Sequence, residues 1–102
     1  MLETIALCFF AGFMAGNGLP YFVSGSLGEG TNPSSFPDDP IVNVLFGCAA
    51  MAVGGIVWSL VDVPKHELAA WLAALAGILV VGLIHARVWQ NDPWGKNKQN
   101  GR

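Results

Sequence analysis

Asn17, Asn43 and His85 are the residues of this chain best placed for chemistry, because each lies within or at the edge of a long apolar run. An amide or imidazole in such surroundings needs a partner, since an unmet polar group in hydrocarbon costs several kcal/mol. If neighbouring runs are helices that alternate in direction, all three side chains fall at one depth, as a polar intramembrane cluster. Mutual hydrogen bonding is the commoner use of such groups. A proton relay or small-ligand site is the functional one.

Other reactive side chains offer less. Cys8 and Cys48 both lie inside apolar runs and, in antiparallel neighbours, would sit near opposite ends. Their separation would be of order 10 Å, beyond the roughly 7 Å Cα limit for a disulfide, so both read as small buried hydrophobes. His66 belongs to a solvated turn and is alone. No His, Cys, Asp or Glu group has metal-ligand spacing, and no Ser has a credible base. A haem would need paired axial histidines, but His66 and His85 lie at opposite ends of one helix. The chain therefore reads as a non-enzyme without a cofactor or metal.

Three runs must position the polar groups: residues 5–23, 41–61 and 68–88. Each is long enough to span roughly 28–32 Å as a helix, close to the hydrocarbon thickness of a bilayer. None contains Asp, Glu or Lys. Charged residues make up 12% of the chain against about 25% in soluble domains. The expected fold is an all-α membrane protein, with three transmembrane helices in a small bundle, a long first loop and a tight second hairpin. The segments are 1–23, 41–61 and 68–89 for the helices, 24–40 for the polar Gly/Pro/Ser-rich loop, 62–67 for the turn and 90–102 for a basic polar tail. Met1-Leu2-Glu3-Thr4 lacks the basic stretch of a secretory signal, so the first run reads as a retained span. The net charge of −2 argues against nucleic acid.

Local features sharpen this outline. Pro20 frees a carbonyl in the preceding turn and Gly18 loosens it further, which predicts a kink or an early end to the first helix. In the hairpin, Asp62 is expected to cap, Pro64 to occupy a first turn and Glu67 to sit at the positive end of a helix dipole. Arg87 has candidate partners in Asp38 and Asp39, with Glu29 also in reach, and such a pairing would clamp the long loop. Snorkelling to headgroups accounts for its position equally well. Phe36 and Leu27 could anchor the loop at the interface. Tyr21, Trp89 and Trp94 at one end, and Trp58 and Trp71 toward the other, are expected at membrane–water boundaries.

Small residues recur at four-residue spacing. Gly12 and Gly16 form a GxxxG in the first helix, Gly54 follows Ala50 with Gly47 nearby in the second, and Ala73 and Gly77 continue a row in the third. Such rows let backbones approach closely. Packing within the bundle is their first use, and contact with another subunit or a second copy their second. Arg87, Lys96, Lys98 and Arg102 gather at one end, with Lys65 at the other. The positive-inside rule thus places the tail and long loop in the cytoplasm and the N-terminus outside.

Asn17-Gly18-Leu19-Pro20-Tyr21-Phe22, then Phe36-Pro37, then Asn43-Val44-Leu45-Phe46-Gly47 resemble a group of small bacterial multi-pass membrane proteins of unknown function. Members tend to read N-G-x-P-H-F in the first helix and N-V-L-W-G in the second. Tyr21 and Phe46 depart from that pattern, so a metal or proton role does not carry over to position 21. The resemblance implies a bacterial inner-membrane protein and no activity. Two functional readings remain. The first is an accessory or structural subunit of a membrane complex, with the bilayer and other subunits or a homo-oligomer as partners. The alternative is a small transporter or channel using the polar cluster, although the runs lack the usual intramembrane carboxylate.

Overall fold

The computed structural model describes residues 1–33 and 37–91, excepting the side chains of 89–91. The loop anchor Phe36, Trp94 and the basic tail with Lys96, Lys98 and Arg102 lie outside the described residues, as does the Trp89 side chain. The described residues form three α-helices: α1 (Leu2–Ser26), α2 (Pro40–Ser59) and α3 (Glu67–Asn91). A short 3-10 turn, Val63–His66, joins α2 to α3. All three helices are long and apolar enough to cross a membrane.

The distribution of side chains is the reverse of a water-soluble core. What is buried is mostly small: Cys8, Ala11, Ala50, Ala70, Ala73 and Ala74. Large aliphatic side chains face outward, with Leu79 62% and Leu83 63% exposed. Apolar surface on that scale would drive aggregation in water but is the natural exterior in lipid. Because lipid is as apolar as leucine, the helices gain by close van der Waals contact rather than by hiding hydrophobic bulk. The chain is a small all-α membrane protein.

α1 is the centre of the bundle. It packs along both α2 and α3, which hardly touch each other. Small residues make both approaches possible. A Cβ on Gly12 would meet the Ala74 carbonyl oxygen, and one on Gly77 would meet the Phe9 carbonyl oxygen, so α1 and α3 are in backbone contact at two levels. Gly47 faces the Phe22 nitrogen and the Gly18 carbonyl oxygen at 2.5 and 2.6 Å from where its Cβ would stand, and Gly54 faces Ala11 and Ala15. Gly16 meets Val81 and Ile78, and Ala73 joins Cys8 and Ala70 in a buried cluster. Gly12, Gly16, Gly47, Gly54, Ala73 and Gly77 therefore all pack within the chain, as does Ala50 against Gly18. Gly55 and Gly82 face open space.

Several sequence expectations are corrected. α1 neither ends nor breaks at Pro20 but continues to Ser26. In hydrocarbon a broken helix would leave more backbone groups unmet than the one carbonyl Pro20 frees, and Gly18 and Gly25 on either side press against α2. The helix closes instead at Gly28, whose φ of 83° is open to glycine at little cost. There the Glu29 N–H donates to the Ser24 carbonyl and the Gly28 N–H to the Gly25 carbonyl, a Schellman closure. Asp62 makes no side-chain cap, because the chain enters a 3-10 turn through its backbone carbonyl, which accepts from the Lys65 N–H. Cys48 is exposed rather than buried, and both cysteines are free thiols.

Candidate functional site

The expected cluster of Asn17, Asn43 and His85 separates into two polar centres. The first joins α1 to α3. His85 Nε2 lies 2.8 Å from Asn17 Oδ1. An amide oxygen only accepts, so this histidine donates from Nε2. Asn17 and Tyr21 stand one helical turn apart on α1, and both reach His85. The Tyr21 ring meets the imidazole edge-on, with centroids 5.7 Å apart and planes at 81°. On its other side Tyr21 packs against Phe46 of α2, at 4.6 Å and 73°. One aromatic side chain thus links all three helices at the level of the amide–imidazole bond.

Tyr21 is 5% exposed, so at the loop end of the bundle its ring faces inward between helices rather than outward to the bilayer. Beside the cluster, a cleft of about 400 Å³ runs between α1 and α3, lined by Gly16, Leu19, Pro20, Val23, Gly82 and His85. Its lining is almost wholly apolar. A polar pair held between helices in hydrocarbon is worth about 0.6–2 kcal/mol. A double-mutant cycle of Asn17→Ala and His85→Ala, read by unfolding in mixed micelles, is expected to give coupling in that range. Strict additivity would mean that the pair contributes nothing.

The second centre lies where the long loop meets α2. Asn43, 1% exposed in the first turn of α2, turns away from His85 toward the loop. Its Oδ1 accepts from Asn32 Nδ2 at 2.9 Å. Its own amide N–H groups are shared among the carbonyls of Glu29, Gly30 and Thr31, at 3.2, 3.1 and 3.4 Å. Asn32, also 1% exposed, donates in addition to the Pro37 carbonyl at 3.3 Å. The two amides therefore tie both limbs of the loop to the start of α2.

Sequence reasoning misses Asn32, whose only apparent significance there is the proline after it, which rules out glycosylation. The better signal is a lone amide in a Gly- and Pro-rich stretch, with another amide at a helix start to receive it. Asp39 is the N-cap of α2, its Oδ1 accepting from the Ile41 and Val42 N–H groups at 2.8 and 3.4 Å, with Pro40 opening the helix. Asp38 and Arg87, the other members of the expected loop clamp, are both exposed.

Among the described residues, no three His, Cys, Asp or Glu side chains converge on a possible metal position. No protein-family model, no curated protein and no solved structure matches this chain. Its class therefore comes from its own architecture: a three-helix membrane bundle with two amide-centred polar knots toward its loop end.

Proposed function

We propose that this chain is an accessory or structural subunit of a membrane-protein complex. The observation that carries the reading is the seam between α2 and α3. These helices flank α1 without closing over it, leaving a groove of about 280 Å³. Ala11, Gly12 and Ala15 form its floor, and Met51, Gly55 and Ile78 its walls. Trp58 and Trp71, with ring centroids 4.9 Å apart, bridge its hairpin end.

A floor of small side chains between two splayed helices admits a further helix at close range, the packing that lipid favours. The internal use of Gly12, Gly16, Gly47, Gly54 and Gly77 leaves Gly55 as the open glycine on the groove. The lipid bilayer is the other partner. The basic end of the chain and the Asn17 and Asn43 motifs support a bacterial inner membrane, with the N-terminus outside and the long loop in the cytoplasm.

Mild-detergent extraction from native membranes, followed by size analysis and mass spectrometry, tests this reading. A defined assembly with other membrane proteins is expected. Gly55→Phe, which fills open space in the groove, should lower the co-purified partner by about tenfold with the chain still folded, a loss of roughly 1.4 kcal/mol of association. A lone monomer, or an assembly indifferent to Gly55→Phe, would overturn it.

A further inference from the structure

At the hairpin end, away from both amide centres, Glu3 and Thr4 of α1 meet Asp62, Lys65 and His66 of the turn around a cavity of about 300 Å³. Leu7 and Leu60 complete the wall toward the helices. Two carboxylates and a lysine thus line one small space. No direct contact pairs them: Asp62 makes no cap bond, and among the described residues no hydrogen bond or ion pair joins these exposed charged side chains. A ligand carrying both signs of charge satisfies such a lining better than a simple anion or cation.

Position narrows the class of that ligand. The cavity lies at the ends of α1, α2 and α3. Trp58 and Trp71, about one turn further in, mark the boundary depth that tryptophan prefers. The space beyond them is the headgroup layer of the bilayer.

We propose that this cavity binds the headgroup of a zwitterionic aminophospholipid of the phosphatidylethanolamine class. Lys65 and His66 face the phosphate, and Glu3 and Asp62 accept from the primary ammonium. Leu7 and Leu60 let the acyl chains leave along the apolar helix surface. The carboxylates favour ethanolamine over choline, because a quaternary ammonium has no N–H to donate. The site is separate from the α2–α3 groove and independent of what fills it.

The test uses the full chain, delipidated in detergent, with native mass spectrometry after adding phosphatidylethanolamine, phosphatidylcholine, phosphatidylglycerol or free phosphoethanolamine. One retained phosphatidylethanolamine is expected, with the choline lipid bound about tenfold more weakly, as for one lost charge-assisted hydrogen bond. Glu3→Gln and Lys65→Gln should each weaken retention by a similar factor. Glu29→Gln, in the loop at the opposite end, should leave it unchanged. The lipid series on the unmodified protein gives its answer whatever the variants do to folding. Equal retention of the choline lipid, preference for the glycerol lipid, equally tight free phosphoethanolamine, or folded Glu3 and Lys65 variants that bind normally would each overturn the assignment.

Discussion

Gly12→Leu is expected to abolish the native α1–α3 packing, with a loss above about 3 kcal/mol, at or beyond the upper end of ordinary overpacking. The reason is what the new side chain meets. At Gly12 the first added carbon falls on the Ala74 carbonyl oxygen, with the Ala74 Cα 2.9 Å away. Neither atom can rotate aside, because both belong to the backbone of α3. The helices must separate, and in lipid no hydrophobic gain offsets the dispersion attraction that the seam gives up. Gly77→Leu should act similarly from the other helix, where the added carbon meets the Phe9 carbonyl oxygen and lies 2.7 Å from the Phe13 nitrogen. Even Gly12→Ala should cost part of this. Gly82→Leu is the control: it faces open space, and a change of no more than about 0.5 kcal/mol is expected. Unfolding of purified protein by increasing denaturing detergent, read by tryptophan fluorescence, checks the series. If Gly12→Leu unfolds at the same detergent fraction as Gly82→Leu, the close approach at Ala74 does not exist in the membrane protein.

That contrast also shows where sequence reading reaches its limit. Span positions are legible because apolar length, set against bilayer thickness, is a property of one segment at a time. The rows containing Gly12, Gly54 and Gly77 are equally visible. Which helix each touches is not, since close approach depends on rotation about the helix axis, which the partner sets. Gly55 differs from Gly54 only by its place in the row, yet one presses on α1 and the other faces the groove. Tyr21 shows the same limit. Its type and depth fit an interfacial aromatic, but rotation about α1 turns it inward between Phe46 and His85. Pro20 misleads for a different reason: proline costs one backbone hydrogen bond, but in hydrocarbon ending the helix there would leave more backbone groups unmet, so a helix supported by its neighbours continues.

Gly18, Tyr21, Phe22, Phe46 and Gly47 come together along the α1–α2 seam. Gly18 faces Gly47, Phe22 lies against Gly47, and Tyr21 packs on Phe46. Tyr21 and Phe46, far apart in the sequence, touch each other. In the fold they are one aromatic contact, so a change at either is expected to be felt at both.

Asn43→Leu is the second substitution with a large expected effect, and it separates loop order from helix packing. Leucine keeps the branched outline of asparagine, but it removes the acceptor for Asn32 and the donors for the Glu29, Gly30 and Thr31 carbonyls. Leaving one buried polar group unmet costs about 1–3 kcal/mol; the Glu29 and Thr31 carbonyls lose their side-chain donor together, while Asn32 keeps the Gly30 and Pro37 carbonyls, so a loss of about 3 kcal/mol is expected. Asn43→Asp should be nearly as damaging. It retains the acceptor for Asn32 but aims a carboxylate at carbonyl oxygens. Asn32→Ala should cost less, because Asn43 keeps its carbonyl partners. The α1–α3 seam is held by other residues, so the damage should first appear as opening of the loop. Hydrogen exchange and limited proteolysis in a lipid nanodisc would report it over residues 27–33 and 37–39, with the amides of α3 still protected. Loss of protection throughout the bundle would instead make the two amides a keystone of the whole fold. Wild-type protection of the loop in Asn43→Leu would rule out the amide lock, leaving the Schellman closure at Gly28 and the Asp39 cap to order the loop by themselves.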